Sequence, residues 1–164
     1  MPDQPKPQNP MGEVFAVTPD ELKPVLALAP RINGTHTVQS TMVPISFLNA
    51  EEKDRREPGP HFRLLVIGEP TGPSSVFADL SYDTDTTLIS TAIALLVEFD
   101  NPERKGIQTE EEGQALGGWI THVAYDIAAL TLRQLVTNNP ATTDLELPLP
   151  PVKPSIQVHI KSPE

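Results

Sequence analysis

The stretch "TEEEGQALGGWITHVAYDIAALTLRQLVTNN", residues 109–139, constrains this chain more than any other. Thr109 supplies a capping hydroxyl, Glu112 stands at the capping-box position, and Glu110 and Glu111 add negative charge where a helix dipole is positive. Asn138, Asn139 and Pro140 form the stop. The stretch therefore predicts one long helix, and it is too apolar for a helix with a single buried face. At about 100° per residue, Leu116, Trp119, Ile120, Val123, Ala124, Ile127 and Leu130 gather on one side, which fits a sheet. Tyr125, Ala128, Ala129, Leu132 and Val136 form a second apolar region roughly opposite, with His122, Asp126 and Arg133 as a narrow polar seam. The chain has no second long helix to cover that region, so a second copy of the protein is the economical source, and these five residues are the expected oligomer interface. Gly113, Gly117 and Gly118 each weaken the helix by up to about 1 kcal/mol relative to Ala. They mark either a close backbone approach or a kink.

What precedes the helix has the texture of a sheet. In "THTVQSTMVPISF" Val43, Ile45 and Phe47 alternate with Met42, Pro44 and Ser46, and Pro44 marks an edge strand or a bulge. "HFRLLVIGE" is a nearly continuous apolar run of strand length, set off by the charged loop "NAEEKDRREPGP" and a proline-glycine turn at residues 70–73. "SSVFADLSYD" places Val76, Ala78, Leu80 and Tyr82 on one face, and "LISTAIALLVEFD" does the same for Ile89, Ile93, Leu95, Val97 and Phe99. Four strands joined largely by short polar turns predict an antiparallel four-stranded sheet packed on one long C-terminal helix, an α+β fold.

Nineteen prolines crowd the ends and turns, which divides the chain into a proline-rich N-terminal arm (1–30), the core domain (31–140) and a proline-rich C-terminal tail (141–164). Within the first arm, "TPDELKPVLAL" permits a short helical turn capped by Thr18 with Pro19 at the first helical position. Within the tail, Pro148, Pro151 and Lys153 match a Pro-x-x-Pro-x-Lys spacing that reads mainly as a stiff extension. The alternation of Ile156, Val158 and Ile160 in "SIQVHIK" suits an edge strand, added to this sheet or to a partner's.

The chemistry that composition excludes is broad. A net charge of -10 argues against a nucleic-acid partner, and the absence of cysteine removes disulfides, thiolate nucleophiles and Cys-ligated zinc. No segment approaches the roughly 18 apolar residues of a membrane span, and no signal-peptide pattern opens the chain. The expected location is cytoplasmic, where Asn33-Gly34-Thr35 is a chance glycosylation match. His36, His61, His122 and His159 lack ligand spacing, so no metal site is expected. Asp79, Asp83, Asp85, Glu98 and Asp100 read as turn and surface carboxylates, "ALGGW" lies inside the helix rather than in a phosphate loop, and Ser74 and Ser75 have no nucleophile context. The expectation is a protein that is not an enzyme and uses no cofactor.

Several stretches carry a family resemblance. "TMVPISFLNA", "EFDNPERKGIQTEEE" and "AYDIAALTLRQL" followed by "LELPLPP" together resemble the SecB-type chaperones, including the SecB-like chaperones that serve toxin-antitoxin systems. The resemblance spans about residues 32–150. It departs where the family's helix carries Pro-Tyr-x-Arg and this chain has Ala124-Tyr125-Asp126-Ile127, and where a short terminal helix gives way to "PVKPSIQVHIKSPE". What the resemblance implies is a homotetramer, a dimer of dimers meeting through the long helices, with apolar grooves that hold unfolded protein clients without a cofactor or turnover. Phe47, Phe62, Leu64, Trp119 and Tyr125 are the expected client-binding residues. The rival reading is a structural or assembly protein, such as a virus or phage particle component, whose apolar helix and proline-rich arms make fixed subunit contacts.

Overall fold

The computed structural model describes residues 15–57, 59–84, 86–138 and 153–162. Thr18 caps the first helix, α1 (Pro19–Leu26), through a capping box with Glu21 and with proline at its start. The chain then runs into the long strand β1 (Pro30–Pro44), a single 3₁₀ turn (Ile45–Phe47) and the short helix α2 (Ala50–Asp54). Three strands follow, β2 (Gly59–Gly68), β3 (Ser74–Asp83) and β4 (Thr87–Phe99). The long helix α3 (Glu110–Thr137) is capped by Thr109 and Glu112 at one end and by Asn138 at the other, as its sequence dictates. A last strand, β5 (Ser155–Ile160), closes the described chain.

The four expected strands pair antiparallel, β1 with β4, β4 with β3, and β3 with β2. Among the described residues the sheet has five strands, however: β5 adds parallel to β2, giving the mixed order β1-β4-β3-β2-β5. The correction has a physical cause. The alternation of Ile156, Val158 and Ile160 marks a strand, but nothing local in it names its partner. β1 is an edge strand with Pro44 as its last residue, where a missing N–H costs no ladder bond. The Val43, Ile45, Phe47 alternation runs past the end of the strand, since Ile45 and Phe47 belong to the 3₁₀ turn.

One face of the sheet packs under α3. Phe62, Leu64 and Val66 from β2, Val76, Ala78 and Leu80 from β3, and Ile89, Ile93, Leu95, Val97 and Phe99 from β4 are all buried there. Against them α3 lays Leu116, Ile120, Ala124, Tyr125, Ala128, Ala129 and Leu132, also buried. The second cover of α3 comes partly from α1 and the residues flanking it: Val25 and Leu28 are buried in the same core, and Gly118 faces Val17 and Leu22. Parts of both proline-rich arms are thus built into the fold, as α1 and as β5. Residues 1–14, 141–152 and 163–164 of those arms, with Pro148 and Pro151, lie outside the described residues, as do residues 139–140 at the end of the core.

Asp83 is a second correction. It ends β3 with its carboxylate buried rather than standing in an open turn, and it accepts from Arg56 Nε at 2.9 Å and Arg56 Nη2 at 2.5 Å. Arg56 also donates to the carbonyl of Thr84, which ties the segment after α2 to the end of the sheet. Asp85 lies outside the described residues.

Candidate functional site

Tyr125 and Phe62 meet inside the core, their rings 5.3 Å apart and nearly perpendicular. Tyr125 is fully buried and Phe62 is 3% exposed, with Leu64 beside them in the same cluster. Burial pushes the Tyr125 hydroxyl up to about 12, more than the nearby Arg133 charge offsets. In this conformation these three residues hold the sheet to the helix and offer no surface to a client. Phe47 stands apart, 79% exposed at the end of the 3₁₀ turn. Trp119 is half-buried on α3.

The apolar face of α3 is rotated relative to the sequence reading: Leu116, Ile120 and Ala124 of the expected stripe do meet the sheet, and the rest of that stripe does not. Tyr125, Ala128, Ala129 and Leu132 are covered from within the chain by the sheet, and Val136 is partly buried against the core. Part of the stripe expected to lie on the sheet looks outward instead: Val123 is 42% and Leu130 55% exposed, with Trp119 and Ile127 half-buried beside them. Spacings of three and four residues make these four one ridge. Both sides of the helix are apolar, so periodicity alone locates the two stripes without telling which of them meets the sheet. The polar seam is where it was expected: His122 and Asp126 are exposed, and the His122 ring lies 6.1 Å from that of Phe15.

The opposite face of the sheet is a second apolar surface. Leu65 on β2 sits across from Phe77 on β3, Phe77 across from Ala94 on β4, and Leu96 follows one step along β4. Leu65, Phe77 and Leu96 are all partly exposed. Cross-strand charge pairs bracket them, Arg63 with Asp79 at 2.7 Å and Arg31 with Glu98 at 2.8 Å.

A cleft of about 570 Å³ opens between the start of α1, the first turns of α3 and the segment leading into β5. Phe15, Val17, Ala115, Gly118 and Ile156 give it apolar walls, while Asp20, Glu21, Glu111 and Lys153 line its rim. Hydrogen bonds from the Thr18 hydroxyl and N–H hold the Glu21 carboxyl below the ordinary range, with the Lys153 charge adding a smaller pull. Sequence reasoning missed this cleft because its walls come from three segments far apart in the chain, two of them read as arms. The Thr18-Pro19 cap and the Ile156, Val158, Ile160 alternation are the local signals that ordered elements stand there.

Among the described residues no cluster of three or more His, Asp or Glu side chains is placed to hold a metal ion, and no helix is long and apolar enough to cross a membrane. No protein-family model matches the sequence, and no curated protein matches it. Among solved structures, the chain is similar to a SecB-like chaperone of Mycobacterium tuberculosis in complex with a ChAD peptide from an antitoxin, at 17% identity and a TM-score of 0.49, over 79% of this chain and 97% of that one. It is also similar to a Streptococcus agalactiae protein of unknown function, at 15% identity and a TM-score of 0.37, over 72% of this chain and 97% of that one.

Proposed function

We propose that this protein is an ATP-independent holdase of SecB-like type, which binds unfolded segments of other proteins on exposed apolar surface, without cofactor or turnover, in the cytoplasm. The observation that carries the reading is the ridge of Trp119, Val123, Ile127 and Leu130, in which Val123 and Leu130 are exposed and Trp119 and Ile127 are half-buried. Phe47 and the Leu65, Phe77 and Leu96 face add further apolar contact area. The resemblance of residues 32–150 to SecB-type chaperones supports the same reading from the sequence.

The physics of such a holdase is additive and weak at each point. Each large side chain buried against a client gains about 1.5 to 3 kcal/mol, less the cost of ordering the client. Several separated apolar patches therefore hold an extended segment where any one would not. The charge of -10 keeps the empty protein soluble and favours clients with basic residues. A homo-oligomer, a dimer of dimers in the SecB-like reading, would cover part of the ridge when no client is bound.

The test is suppression of aggregation. A chemically unfolded model protein diluted into the pure chain at stoichiometric ratio should scatter much less light than it does alone. Undiminished scattering would end the holdase reading.

A further inference from the structure

The C-terminal strand lies in a groove shaped to receive it. Its floor is α3, where Gly113 and Gly117 stand one turn apart and leave room for side chains from above. A Cβ on Gly117 would come within 2.7 Å of Ile156 Cγ2, and one on Gly113 would collide outright with Val158 Cγ1. The next aliphatic, Ile160, fills the same kind of notch over Gly68 of β2, where a Cβ would lie 2.7 Å from its Cδ1. One wall is the edge of β2 turned away from β3, which pairs in parallel with β5 from Arg63 through Gly68. Gln114 reaches up from α3 and donates to the carbonyl of Ile156 at 3.4 Å, and the Lys161 N–H donates to the carbonyl of Gly68 at 2.9 Å.

Both ends of the groove are acidic and both ends of the occupant are basic. Lys153 enters the cleft rimmed by Asp20, Glu21 and Glu111, and Lys161 pairs with Glu69 at the other end. The strand itself is lightly held. Ile156, Val158 and Ile160 are only half-buried, whereas the inward aliphatics of β2, β3 and β4 are almost wholly buried, and the pairing is short and parallel.

We propose that this groove is a peptide-binding site of which β5 is the resident, displaceable occupant, and that it accepts an extended segment with aliphatic residues at alternate positions bracketed by lysine or arginine. Such a segment adds a strand to the edge of β2 and seats its aliphatics over Gly117, Gly113 and Gly68. The tail belongs to the same chain as the groove, so an incoming segment competes with an intramolecular occupant. The site is self-blocked until a well-matched segment, or a high local concentration of one, displaces the tail. This inference is independent of the holdase reading, because it concerns one defined groove and a stable extended ligand rather than aggregation.

The test uses the full chain and a fluorescent synthetic peptide of residues 153–161. In the double variant Ile156→Glu/Val158→Glu the tail is expelled while every groove residue is intact, and the peptide should bind roughly 100-fold tighter than it binds the parent protein. Adding Gly113→Val to that variant should abolish the binding, and a peptide with both lysines replaced by glutamate should bind at least about 10-fold more weakly. A folded double variant that ignores the peptide, or that excludes it by pairing with a second copy, overturns the proposal. Hydrogen exchange on the parent protein decides the matter even if the variant does not fold. The β5 amides should exchange about 100-fold or more faster than those of β3 and β4. Exchange of β5 only together with the whole sheet overturns the proposal as well.

Discussion

Arg104 holds the Glu112 carboxylate at two points, Nη1 donating to Oε1 at 2.7 Å and Nη2 to Oε2 at 2.9 Å. The same carboxylate accepts the Gln108 N–H at 2.8 Å and completes the capping box with Thr109. The loop leaving β4 is thereby pinned to the first turn of α3. Burial alone would raise the Glu112 carboxyl, but the hydrogen bonds from Arg104 and from the Gln108 and Thr109 N–H groups, with the Arg104 charge, outweigh it and hold the group below the ordinary glutamate range. A carboxyl depressed on folding adds stability above its unfolded value of 4.5, and that stability is lost as pH falls through the folded value. Glu112→Gln should therefore cost about 2 kcal/mol at neutral pH, and its deficit against the parent protein should shrink below about pH 4. Urea unfolding on both sides of that pH reads the effect, and a deficit that stays constant would contradict it.

Phe62 is placed as core, so its truncation should act on folding. Phe62→Ala should lose about 3 to 5 kcal/mol, seen as a shifted denaturation midpoint. A variant of full stability that had lost only client binding would restore the surface role its sequence suggested.

The contact of Gly117 with Ile156 should behave as a coupled pair. Gly117→Ala alone gains helix propensity of up to about 1 kcal/mol but overpacks the seat of Ile156, for a net loss of about 1 to 2 kcal/mol. In Ile156→Ala the same change should become neutral or stabilising. A double-mutant cycle with no coupling would mean that the strand moves aside without cost.

Ala29 carries a left-handed backbone, φ 50°, where α1 turns into β1. Its carbonyl accepts the Asp100 N–H at 3.0 Å, so the geometry is locked by the end of β4. Ala29→Gly removes the Cβ penalty and should raise stability by about 0.5 to 1 kcal/mol, read as a higher Tm.

How much of this was legible in the sequence follows from the range of each signal. The ends of α3 were legible because Thr109, Glu112 and Asn138 act within one turn of themselves. The inward faces of β3 and β4 were legible because alternation is also local. The partner of β5 was not, since pairing with β2 joins residues about ninety positions apart and leaves no trace in "SIQVHIK". The apolar residues of α3 were found but divided wrongly between its faces beyond Leu116, Ile120 and Ala124, because Tyr125, Ala128 and Leu132 are as apolar as Val123, Ile127 and Leu130, and only the position of the sheet separates core from surface. Phe62 and Leu64 were read as client contacts for the same reason: an apolar side chain does not declare what covers it.

The most direct test of the central claim combines stability with aggregation suppression. Val123→Ser/Leu130→Ser changes two exposed side chains and should leave the unfolding free energy within about 0.5 kcal/mol of the parent for each site. Light scattering from an unfolded model client should be strongly reduced by the parent protein and much less reduced by this variant at equal concentration. Equal suppression by both proteins, or none by the parent, would contradict the assignment of the α3 ridge as the client-binding surface.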